Sequence, residues 1–231
     1  MRGQRILVCL PAVGFRLSAK LPSLWKPPFL GVGRFKPTFR SLEFSKELDI
    51  KPVGKSWSVG VPGWDLEKRG FNGVAGPGGK PLFFPTNAAR KLAQACGVYD
   101  EWRPYPAEKP LSNYAREMAI RIAKKRARVT KLITSSFPWD FIVVSDHSAA
   151  SVAHVDDDAA AAASNIAIDA ATSIISDWPD AILVIVGPYG VGTEDGFVVS
   201  NRMESSVIEK WDQIRKYANG ERLNPVGNKP A

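Results

Sequence analysis

The spacing of hydrophobic positions along this chain changes several times, and each change marks an element. Residues 6–15 are an almost unbroken apolar run, interrupted at Pro11, of the kind found in a strand buried on both faces. Residues 11–85 are then punctuated by Pro22, Pro27, Pro28, Pro37, Pro52, Pro62 and Gly76-Pro77-Gly78-Gly79. Proline lacks a backbone donor and blocks long helices, so this stretch is expected to be loops joining short strands such as 57–61. Past residue 86 the spacing turns helical: Thr86 can cap a helix running to about Cys96, which Gly97 would stop. After Pro104, Pro106 and Pro110, Ser112 starts a long helix with Ala115, Met118, Ala119, Ile122, Val129, Leu132 and Ile133 at helical intervals. Pro138 ends it.

Residues 141–144 and 181–186 are short apolar runs suited to a parallel sheet, and the alanine-rich residues 159–176 between them read as a helix. Its predicted inner stripe is Ile166, Ala170 and Ile174, and Asp156, Asp157 and Asp158 lie near its N-terminus, where the helix dipole favours negative charge. Residues 197–200 read as one more strand. Residues 203–217 read as a closing helix with Val207, Trp211 and Ile214 inward, and 219–231 as a flexible tail. Strands alternating with helices predict an α/β fold with a mostly parallel central sheet flanked by helices, as a single domain over 1–218. Sites in such sheets gather at the carboxyl ends of the strands, where the turn-rich loop 187–192 would lie.

Composition narrows the function classes. With 231 residues, 45% apolar and 23% charged, the chain is neither disordered nor collagen-like, and two cysteines, Cys9 and Cys96, cannot build a disulfide framework. Both sit in apolar settings, where thiols act as small hydrophobes. No stretch of some 18 to 20 apolar residues is evident and residues 6–15 lack signal-peptide flanks, so a cytoplasmic location without a membrane partner is expected.

Charge is unevenly spread. The net +8 divides into 25 Lys and Arg against 9 Asp and Glu in residues 1–135, and 6 against 14 in residues 136–231. Either the two halves pack against each other, or the basic half meets phosphate. The long helix carries Arg116, Arg121, Lys124, Lys125, Arg126, Arg128 and Lys131, with Lys124, Arg128 and Lys131 on one stripe. Like charges so stacked repel, which an anionic partner would relieve. Arg121, Lys124, Lys125, Arg128 and Lys131 are therefore the candidate nucleic-acid or phosphate-binding residues, with RNA, a ribonucleoprotein or a larger protein complex as the expected partner. Trp25, Trp57, Trp64 and Trp102 lie in the basic half, either as base-stacking platforms or as core and loop anchors.

The motifs also follow a recognisable order. A strand ending near residue 10 precedes Leu21 to Leu24, then Gly54-Lys55 through Gly60 to Pro62, the long helix, and Trp139-Asp140 running to Val144. His154, a helix to Ser176, strand 181–186, Gly190 to Gly192 and Gly196 to Arg202 complete it. In this order the chain resembles, over most of residues 4–203, the type I phosphodiesterase/nucleotide pyrophosphatase proteins of the alkaline phosphatase superfamily. The resemblance implies an alkaline-phosphatase-like core and a hydrolase that uses two divalent metals, usually zinc, and a Thr or Ser nucleophile on phosphate esters.

The metal positions depart from that pattern. Where the family places an acidic ligand after the first strand, this chain has Leu10-Pro11-Ala12; the family's Asp-x-x-x-His pair falls on Ala150 and His154, and its Asp-His pair on Pro188 and Tyr189. Thr38 is the one passable nucleophile, and His147 and His154 are the only histidines, against the three that the family's site uses. The expectation is a degenerate member: a non-catalytic binding or scaffold protein with no catalytic residue, metal or cofactor. Two alternatives stay open. One is a metal-dependent phosphoric ester hydrolase rebuilt around Asp146, His147 and His154; the bland account has Asp146 and His147 bonding their loop while His154 and the aspartates cap the next helix. The other is a structural subunit that docks through the Pro and aromatic residues of 11–40.

Overall fold

The computed structural model describes residues 3–36, 52–60, 71–75, 81–83, 111–191, 195–202, 213, 214 and 216. Strand β1 is Arg5–Cys9; the chain then turns at Pro11, and Phe15–Ser18 is a short helix, α1. The strand expected over 6–15 is thus shorter, because proline cannot donate to the ladder.

Seven more strands, β2 (Val32–Phe35), β3 (Ser56–Val59), β4 (Gly73–Ala75), β5 (Pro81–Phe83), β6 (Phe141–Ser145), β7 (Ile182–Gly187) and β8 (Gly196–Ser200), join it in one sheet. The order is β2-β8-β7-β1-β6-β3-β4-β5. The run from β7 to β4 is parallel, while β8, β2 and β5 pair antiparallel toward the edges. This is an α/β fold with a mostly parallel sheet. Both faces of the central strands are buried, Ile6 and Val8 on one and Leu7 and Cys9 on the other, as a covered parallel sheet requires.

Helices α2 (Leu111–Ser136) and α3 (Asp157–Asp177) pack against each other on the face that carries Val8 and Val144. The inward stripe of α2 is Ala119, Ala123, Arg126, Thr130 and Ile133, spaced by alternate fours and threes. That of α3 is Ala160, Ala163, Ala167, Ala171 and Ile174. This ridge differs from the expected one: Ile166 and Ala170 are only part-buried, because the small alanines let the helix approach closely and the bulkier Ile166 is turned to the margin. Asp156 caps α3, its side chain accepting from the Ala159 amide at 2.9 Å.

The length and composition of α3 are those of a membrane span, which the sequence reading did not anticipate; 50% of that window is buried inside the protein. The expected helix 86–96 and tail 219–231 lie outside the described residues, as do Thr38, Trp64, Trp102 and Cys96. Of the helix expected over 203–217, Gln213, Ile214 and Lys216 are described; they are helical, and Ile214 is buried as expected.

Candidate functional site

Parallel register brings the carboxyl ends of β7, β1, β6 and β3 level. Cys9 lies opposite both Ser145 and Val186, and Val59 lies opposite Val144. The ladder continues one residue further, with the Leu10 amide donating to Val186 and the Asp146 amide to Cys9, both at 2.8 Å. Pro11, Asp146 and Pro188 therefore leave neighbouring strands at one edge. Two tight backbone features shape it. Ala12 has φ +63°, uncommon for a residue with a Cβ, and Gly60 has φ +71° with the Ser145 carbonyl and Arg126 where a Cβ would be.

The edge is polar and closed. Arg126 reaches in from the core stripe of α2, and its Nη1 donates to Asp146 Oδ1 at 2.6 Å, with both side chains nearly removed from solvent. The same oxygen accepts from the Ser148 amide at 2.9 Å. Arg126 Nε, Asp146 Oδ2, Ser58 Oγ, Ser148 Oγ and the Tyr189 hydroxyl are buried with no partner among the described residues. A cavity of about 10 Å³ between α2, α3 and the sheet is lined in part by Arg126, Thr130 and Asp146, room for a single water-sized group. His147 Nε2 lies 3.0 Å from Ser145 Oγ. Burial, and then the Arg126 cation, lower the His147 pKa to about 4, outweighing the pull of Asp146, so the ring is neutral near pH 7. A neutral imidazole on a serine has the form of a base on a nucleophile, but Ser145 is wholly buried and offers no substrate an approach.

The two-metal centre implied by the resemblance does not fit these residues. Asp146 is committed to Arg126 and Ser148, His154 is exposed, and positions 10–12 and 188–189 supply no carboxylate or imidazole. Among the described residues no three His, Cys, Asp or Glu side chains cluster as metal ligands. The three aspartates at the start of α3 are instead paired with cations from elsewhere in the chain. Asp156 bonds Arg116, Asp157 bonds Arg16 at 2.7 Å, and Asp158 bonds Lys20 at 2.8 Å. The Ala159 amide first and Arg116 second hold Asp156 below the usual carboxylate range, and Arg16 does the same for Asp157.

The outer face of α2 is open. A groove of about 490 Å³ runs along it, lined among the described residues by Ile120 and Glu117 with Arg116, Arg121, Lys124 and Arg128. Lys124, Arg128 and Lys131 are exposed, and Arg121 is half-buried. Lys125 also lines the groove but is only 8% exposed, because it stands four residues before Val129 and seven before Leu132, on the apolar side of the helix. Lys125 was expected among the phosphate-binding residues, and its burial removes it from that set; Arg126, which the sequence reading counted among the helix's cations but not among the candidates, lies on the core stripe that the helical period marks, while its carboxylate partner was not readable. Of the tryptophans, Trp57 is a core anchor, its ring 5.0 Å from that of Phe137 and its indole donating to the Pro138 carbonyl. Trp25 is 54% exposed, and its indole donates to the Ser18 carbonyl at 2.9 Å.

No protein-family model matches the chain, and no curated protein does. Among solved structures, one similar chain is described as Ps i-CgsB in complex with k-i-k-neocarrahexaose, at TM-score 0.32 and 10% identity. The alignment covers 86% of this chain and 66% of that one. A likeness this loose carries no argument.

Proposed function

We propose that this protein is a non-catalytic binding or scaffold protein on a degenerate phosphodiesterase-like fold, and that the outer face of α2 holds RNA by its phosphates. One contrast carries the reading. Arg16, Lys20, Arg34, Arg116, Arg126 and Arg202 each meet a carboxylate, whereas Arg121, Lys124, Arg128 and Lys131 meet none among the described residues. Four cations within three turns, none of them paired with a carboxylate among the described residues, repel one another and attract a polyanion even with Glu117 on the same groove. Internal use of Asp146 and His147 at the strand edge supports the absence of hydrolytic chemistry there.

The test is the salt dependence of RNA affinity. Wild-type protein should bind RNA with little sequence preference, since phosphate contacts position without reading bases. Reversing Lys124, Arg128 and Lys131 together to Glu should weaken binding and flatten the plot of log affinity against log salt by about 2 to 3 units, at roughly 0.7 to 0.9 per contact. A triple variant that melts at lower temperature but binds RNA as before would place these cations in a structural role and overturn the reading.

A further inference from the structure

We infer that the α2 groove takes single-stranded RNA and holds its bases as well as its phosphates; the inference rests on the binding role proposed above. A row of cations on a convex helix is enough to meet phosphates, and no hollow is needed. Here the cations rim a hollow of about 490 Å³ that includes the part-buried Ile120. Its lining among the described residues is otherwise long charged side chains, Glu117 with the cations, and methylene stems such as those of Arg121, Lys124 and Arg128 cover apolar surface. The hollow therefore matches a ligand that is flat and apolar beside its negative charge, which describes an unpaired nucleotide. A duplex hides its base faces and offers this helix charge alone.

The identity of the cations points the same way. Arg121 and Arg128 flank Lys124 along α2, roughly 10 Å apart at 1.5 Å per residue. A guanidinium plane stacks on a base, and an ammonium does not. Arg116 is engaged by Asp156, which leaves Arg121 and Arg128 as the available planes among the described residues and Lys124 between them as a point charge for phosphate. No described residue lining the groove is aromatic, so among the described residues the arginines and Ile120 are the surfaces on which bases would rest.

The experiment uses the full chain and three probes: a short labelled oligouridylate, the same strand annealed to oligoadenylate, and inorganic polyphosphate. Oligouridylate should bind about tenfold more tightly than the duplex, the order expected for one stacked base. Arg121→Lys with Arg128→Lys keeps every charge and removes both planes. It should lose about tenfold for the single strand while leaving the salt slope and the polyphosphate affinity unchanged. Equal binding of duplex and single strand, or a double-lysine variant as tight as wild type, would overturn the base-holding role while leaving phosphate binding intact. Failure of all three probes to bind would overturn both.

Discussion

Arg126 stands at a position of α2 that its neighbours Ala123, Val129 and Ile133 mark as core, and a single carboxylate makes that placement possible. Removing one partner from a buried pair strands the other charge, whereas replacing both with apolar side chains is often neutral. Asp146→Ala should therefore destabilise the protein by about 3 to 5 kcal/mol in urea unfolding, and Arg126→Met with Asp146→Leu should recover most of that loss. Recovery distinguishes the stranded charge from lost packing. Beside this pair, His147 binds its proton far less readily folded than unfolded, with a folded pKa of about 4 against about 6.5. The unfolded chain takes up the extra proton, so the stability contributed by neutral His147 is full above about pH 6.5 and lost as pH falls toward 4. The loss should be about 3 kcal/mol, read as a fall in urea midpoint that His147→Gln abolishes.

At the scale of elements, what the sequence revealed depended on whether the signal was local. The exposed stripe of Lys124, Arg128 and Lys131 follows from the helical period alone, and strands 141–144, 181–186 and 197–200 follow from apolar runs, each found within a residue or two. Strand β2 was not legible. Its sequence, Val-Gly-Arg-Phe, has little strand character, and it forms because β8 offers an edge that lies far along the chain. The Arg126–Asp146 pair was hidden for a different reason: its partners are only 20 residues apart, but no periodicity says which carboxylate a core-facing arginine meets once α2 packs on the sheet. The inner ridge of α3 was misplaced because alanine carries so little hydrophobic contrast that Ile166 dominated the pattern. In the fold the alanines matter as spacers between helices. Ala163→Leu, at a wholly buried position, should cost about 1 to 3 kcal/mol by overpacking, measured by thermal or urea unfolding, whereas the same change at exposed Ala162 should cost little.

Over the whole molecule, the two accounts of the charge division prove compatible. Arg16, Lys20, Arg34, Arg116 and Arg126 reach from the basic half to Asp157, Asp158, Asp195, Asp156 and Asp146 of the acidic half, so part of the imbalance is internal clamping. Pairs as exposed as Lys20 with Asp158 add little stability. The cations of α2 that meet no carboxylate among the described residues are what the proposed RNA contact draws upon. One property of the sheet bears on how the molecule comes into being. β1 is its central strand, yet its two ladder partners are β6 and β7, which begin at Phe141 and Ile182. At 5 to 20 residues per second, the apolar run of β1 waits on the order of ten seconds after leaving the ribosome before its first neighbour exists. β2 waits longer still, for β8. Throughout that interval a strand that ends up almost wholly buried has nothing of its own to pair with, which makes it a segment in need of a chaperone and one from which misassembly would start.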